Sequence, residues 1–205
     1  YGMVGNNETY RAALDEGFTQ FLTVWGLEAI DGKYLAKNPA KTFYERWFVD
    51  SVEASFSRIY YGYLREAIRE KDEQLNTHSD MFTTGYRQVY NKTGAMLYNL
   101  QYVLGDELFL DAMKHYFTTW RIAHPYFNDF RNSVIQYTKV DLNWFFDQWF
   151  TTTKNIDYQI KSVKKSGENE YTITFKRKGR MQMPIDFRVV TKSGTTHDYH
   201  IPNTW

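Results

Sequence analysis

Two side chains in this sequence have a type and a setting that could do chemistry. The first is Glu16, in the segment Tyr10-Arg11-Ala12-Ala13-Leu14-Asp15-Glu16-Gly17-Phe18-Thr19. At helical spacing Tyr10, Leu14, Phe18, Phe21 and Trp25 share one stripe, and Glu16 lies almost opposite. Its helical neighbours are Ala12, Ala13, Thr19, Gln20 and Thr23. Most are short, so another backbone could approach this face closely. A carboxylate buried on such a face is what a metal site needs. Geometry alone favours a plainer reading, a solvated glutamate on the outside of an amphipathic helix, because unpaired glutamates are rarely buried. The second side chain is Tyr90, in Tyr90-Asn91-Lys92-Thr93-Gly94-Ala95, where a loop meets a helix. A hydroxyl there could point into a cleft. With 17 tyrosines in the chain, the competing reading is a packing residue.

The remaining metal-binding residue types do not group in the sequence. Cysteine is absent, which excludes disulfides and thiolate metal sites. The histidines are His78, His115, His124, His197 and His200. None is followed by a glutamate with a second histidine four residues on. His197 and His200 are spaced by three in a strand-like run and read as surface.

The elements that must position these groups are mostly helical. Asn6-Asn7-Glu8 is a capping cluster, and the first helix should end before Asp31-Gly32. Asn38-Pro39 marks a second start, followed by a long helix that closes in the charged run Arg65–Glu73, read as an exposed helix end. Residues 74–89 read as a loop. Helices are then expected at 91–104, from Asp106 to about Trp120, at 127–138 and at 142–150, with Gly105 as a stop and Asp106 and Asp141 as caps. From Asp157 the pattern alternates through Tyr158 and Ile160, then Tyr171, Ile173 and Phe175, then Ile185, Phe187 and Val189, then Tyr199 and Ile201. Turn signals at Ser166-Gly167 and Lys192-Ser193-Gly194 separate these runs. The expected fold is mostly α, residues 1–153, followed by a small antiparallel β module of about four strands, residues 154–205, hence α+β overall. So few strands bury little alone. Basic and acidic residues number 25 and 24, which gives no support for nucleic-acid binding driven by net charge. No apolar run approaches a membrane span.

Taken together, these segments resemble the M1 family of zinc aminopeptidases. Leu14-Asp15-Glu16-Gly17-Phe18 is similar to the family's Leu-(Asn/Asp)-Glu-Gly-Phe, carried on the helix that follows its His-Glu-x-x-His helix. Tyr90-Asn91-Lys92 resembles its Tyr-x-Lys-Gly motif, with Thr93 where glycine is commoner. Leu104–Phe109, Asp141–Trp149 and Met183-Pro184-Ile185 resemble later parts of the family, so the likeness covers nearly the whole chain.

The resemblance implies the C-terminal helical part of a thermolysin-like catalytic domain, followed by part of a β domain. It implies a peptide substrate, hydrolysed at its N-terminal residue by a zinc-activated water. Glu16 would be the third zinc ligand, and the Tyr90 hydroxyl would donate to the oxyanion of the tetrahedral intermediate. A histidine helix would pack across the small-residue face. Family habit favours a periplasmic or extracellular location over a cytoplasmic one. The sequence departs from the family in lacking both His-Glu-x-x-His and the Gly-x-Met-Glu-Asn motif that binds the substrate amine. In the family about eighteen residues separate the second histidine from the ligand glutamate. Fifteen precede Glu16 here. The expectation is therefore a piece of a longer enzyme, without a tight zinc site or activity of its own. The alternatives are a non-catalytic peptide- or protein-binding scaffold and a relative acting on a different substrate, such as a small epoxide.

Overall fold

A computed structural model describes residues 2–34, 42–43, 52–83 and 87–203. The chain divides into two compact units, residues 1–153 and 154–205. The first is helical and the second consists of β-hairpins, consistent with a mostly α, α+β fold.

The first unit begins with a single helical run that changes pitch. Asn7 caps it, its side chain accepting the Tyr10 amide at 3.0 Å. Helix α1 (Glu8–Arg11) leads into a π-helical turn over Ala13–Gly17, which continues as α2 (Phe18–Asp31). Gly32, at φ 93°, ends the run in a conformation that favours glycine. The π turn inserts a residue into the helical phase. Uniform helical spacing therefore fails here. Every residue from Ala12 to Phe18 is buried, while Tyr10, at the head of the expected apolar stripe, is exposed.

The second helical start, expected at Asn38-Pro39, lies outside the described residues. The described part of that helix contains another π turn (Phe56–Tyr60) and then α3 (Tyr61–Ile68). Helix α3 stops short of Glu73. The Lys71 amide donates to the Glu66 carbonyl, Glu70 adopts φ 56°, and residues 71–74 run on without helix. The charged run is thus not simply an exposed helix end. Asp72 has left the helix, and its side chain keeps only 5% of its surface exposed.

The loop after it contains a 3₁₀ turn over Ser79–Met81. Helix α4 (Arg87–Leu104) starts earlier than the sequence suggests, which puts Tyr90 inside its first turn. Helix α4 packs against α2, α3, both π turns and α5 (Asp106–Trp120). Gly105, at φ 77°, makes the break between α4 and α5. Asp106 is the first residue of α5, and its carboxylate accepts the Gln101 side chain at 2.9 Å. Helices α6 (Phe127–Thr138) and α7 (Asn143–Thr151) complete the unit, with the Asp141 side chain accepting the Asn143 amide at 3.0 Å. Aromatic rings fill the core. Phe130 meets Phe18 at 4.8 Å and Tyr116 at 5.0 Å between ring centres, both edge-on. Phe145, Phe146 and Trp149 of α7 are fully buried.

The second unit holds four strands, arranged as two antiparallel pairs. Strand β1 (Tyr158–Lys165) pairs with β2 (Tyr171–Arg177), and the register shifts between Ile160 and Ser162. Strand β3 (Ile185–Val190) pairs with β4 (Thr196–Ile201). Gly194, at φ 86°, forms part of the second hairpin's turn. Phe187 sits 5.0 Å from Phe175 of the other hairpin and stacks on Tyr199 at the same distance. Among the described residues, no helix is long and apolar enough to cross a membrane.

Candidate functional site

Glu16 lies in the π turn and keeps 9% of its surface exposed. The solvated reading from uniform helical spacing does not hold: Ala12 to Phe18 are all buried, so this turn is covered on every face. Two more carboxyl groups are close. The Glu8 carboxyl is held above its ordinary value, first by a hydrogen bond with Asp15, then by burial and by the charges of Asp15 and Glu16. Glu8, Asp15 and Glu16 therefore concentrate negative charge at the start of this helical run.

Gly17 sets how close the Glu16 turn comes to α4. A methyl group at Gly17 would collide with the side chain of Thr93. Thr93 is itself fully buried, so its bulk fills the space that Gly17 leaves open. Tyr90 lies one turn before Thr93 on the same face of α4. This close approach sets the helix face bearing Tyr90 beside the turn bearing Glu16. Tyr90 is half-buried.

Part of the small-residue face expected to receive another helix is already in use. Ala12 and Ala13 are buried, and Gly17 is filled by Thr93. Gln20 donates to the Arg58 carbonyl at 3.1 Å. Only Thr19 and Gln20, half-buried, and Thr23, exposed, remain partly open. The small residues therefore serve α4 at least as much as any further partner.

The residues after Tyr90 each dock α4 onto a different element. A methyl group at Gly62 of α3 would collide with the Asn91 side chain. Lys92 is fully buried, and its ammonium donates to Asp72 Oδ2 at 2.7 Å, the Glu73 carbonyl at 2.8 Å and the Thr152 carbonyl at 3.0 Å. A Cβ at Gly94 would stand 2.9 Å from Ile59 Cδ1. Sequence reading missed Lys92 and Asp72 as a pair. The motif likeness marked Lys92 but named no partner for it, and nothing in the sequence singled out Asp72.

An apolar cavity of about 380 Å³ lies along the same helical run, lined by Leu14, Phe18, Leu22, Trp25, Met113 and Phe117 among others. Neither Glu16 nor Tyr90 lines it.

Could these residues hold zinc? Glu16 offers one carboxyl group in a nearly buried setting. The histidines do not join it. His124 bonds the Gly5 carbonyl at 2.6 Å, His115 stacks on Tyr137, and His200 pairs with Asp186. Among the described residues, no group of three or more histidines, cysteines or acids is arranged to hold a metal ion. The described residues thus fit one ligand position of a zinc site and not a complete one.

Comparison with protein families places this arrangement. Residues 3–149 match the model of the peptidase family M1 domain. The chain belongs to peptidase family M1. Comparison with curated proteins gives no match.

Proposed function

We propose that the chain is part of a zinc-dependent M1 aminopeptidase, which removes N-terminal residues from peptides. In this reading Glu16 supplies one zinc ligand. The other ligands and the general base come from a His-Glu-x-x-His helix that these 205 residues do not contain. Bound zinc supplies Lewis-acid polarisation and a nucleophile at neutral pH. The chain's own residues do the rest. The π turn and the Gly17–Thr93 approach hold the Glu16 carboxylate in a protected setting. The Tyr90 hydroxyl donates a hydrogen bond to the oxyanion that develops on the peptide carbonyl, worth about 3 kcal/mol in the transition state. The 205 residues alone hydrolyse nothing, since one carboxylate cannot replace a three-ligand site.

The observation that supports this reading best is the juxtaposition of the Glu16 turn with the Tyr90 face of α4, made through Gly17 and Thr93. Tyr90→Phe in the full-length enzyme tests it. The expected result is a kcat lower by roughly a hundredfold with zinc content intact. Unchanged turnover removes Tyr90 from catalysis, and lost zinc makes it a structural residue. If the full-length sequence lacks His-Glu-x-x-His, a peptide-binding scaffold becomes the better reading. Turnover of an epoxide instead of a peptide would favour the other alternative.

A further inference from the structure

The buried lysine in the first half of α4 has no part in the chemistry above, and its surroundings are unusual. A lysine ammonium has three N–H donors. At Lys92 all three are used, on Asp72, Glu73 and Thr152. The acceptors come from two places far apart in sequence, the stretch after α3 and the residue following α7. Those two segments are also tied to each other, the Asn76 amide donating to the Phe150 carbonyl at 3.2 Å. The Lys92 side chain therefore pins α4 to a joint between two other elements.

Burial opposes such an arrangement. It pulls the Lys92 ammonium below its ordinary value and pushes the Asp72 carboxyl above its own, while the hydrogen bond between them acts the other way on both. Well-packed apolar residues in place of a buried ion pair are often as stable or more so. What the ion pair adds is geometry. Lys92 is two residues beyond Tyr90, about 200° around the helix. A side chain anchored on one side of α4 fixes the rotation of that turn, and with it the direction of the residue on the other side.

We propose that Lys92, seated on Asp72, Glu73 and Thr152, is a positioning residue that fixes the first turns of α4 so that Tyr90 is aimed at the substrate carbonyl. The inference rests on the catalytic reading of Tyr90. Its own content is that the anchor sets local geometry, not merely stability.

The test compares Asp72→Asn/Lys92→Met with Lys92→Met alone in the full-length enzyme. The double variant removes both charges and keeps the side-chain shapes close, so it should recover most of the thermal stability that Lys92→Met loses. Amide hydrogen exchange over residues 88–93 should nevertheless stay faster than in the wild type by about tenfold or more. In the same double variant kcat should fall roughly tenfold to a hundredfold, with KM and zinc content kept. Wild-type exchange over residues 88–93 overturns the proposal. So does faster exchange with an unchanged kcat, provided Tyr90→Phe lowers kcat. If Tyr90→Phe leaves kcat unchanged, the catalytic reading fails on its own evidence, and exchange still reports whether Lys92 anchors α4. Should the double variant not fold, Asp72→Asn leaves Lys92 its two carbonyl acceptors. Smaller shifts in the same two readouts are then expected, and no shift in either overturns the proposal.

Discussion

Two ion pairs of nearly equal length stand in opposite surroundings. Lys92 and Asp72 meet at 2.7 Å in the helical unit, with 0% and 5% of their side chains exposed. Arg188 and Asp198 meet at 2.5 Å across the β3–β4 hairpin, with 62% and 66% exposed. Distance does not distinguish them, but their environments do. Water can replace either partner of the hairpin pair. Removing Lys92 strands the Asp72 carboxylate, whose side chain is 5% exposed, and takes one donor from each of two carbonyls. The hairpin pair lies on a surface, whereas the Lys92–Asp72 pair ties α4 to the stretch after α3.

Removing one partner of each pair should separate them most clearly. Lys92→Met should cost about 3–5 kcal/mol, because it strands a buried carboxylate. Urea denaturation of the full-length protein measures this, and a loss within the range for ordinary surface changes would place the pair with the hairpin's.

A smaller effect is expected from the uncharged contact beside it. Gly17→Ala would gain about 1 kcal/mol of helix propensity on an open helix. Here the added methyl meets Thr93, and over-packing at such a site costs about 1–3 kcal/mol. A net loss of stability is expected, recovered in large part by Gly17→Ala/Thr93→Gly. A stabilised Gly17→Ala variant would mean that the two helices separate easily.

The hairpin pair should give the smallest effects. Arg188→Ala should lower the Tm only slightly, and added salt should erase the difference. The Arg188 hydrogen bond holds the Asp198 carboxyl below its ordinary value. Its contribution is therefore present above the ordinary carboxylate range and is lost as pH falls through the lowered folded-state value. Asp198→Asn should slightly flatten the acid limb of a Tm-against-pH curve. A variant curve that coincides with the wild type there would leave this pair without thermodynamic weight.

The same contrast explains what the sequence could disclose. Helices α5 to α7 and the four strands were legible because their signals are local. Asn7, Gly105 and Gly194 mark starts and stops through backbone chemistry, and the alternation in β3 follows from its pleat. The π turn over Ala13–Gly17 has no such local mark. Uniform spacing therefore placed Glu16 on the outside, against its short neighbours and its motif, which pointed inward. Asp72 sits among charged neighbours that look alike until tertiary structure selects one for Lys92. Glu16 and Tyr90 were nominated by family likeness. The approach of the turn bearing Glu16 to α4 depends on Gly17 meeting Thr93, a contact between residues 76 positions apart that no local pattern encodes.

The most direct test of the functional account is the zinc content of the full-length enzyme and its Glu16→Gln variant, measured after equal dialysis with the fold checked by circular dichroism. The account predicts about one zinc per chain in the wild type and a sharp loss in the folded variant. Equal zinc in both would contradict the assignment of Glu16 as a ligand.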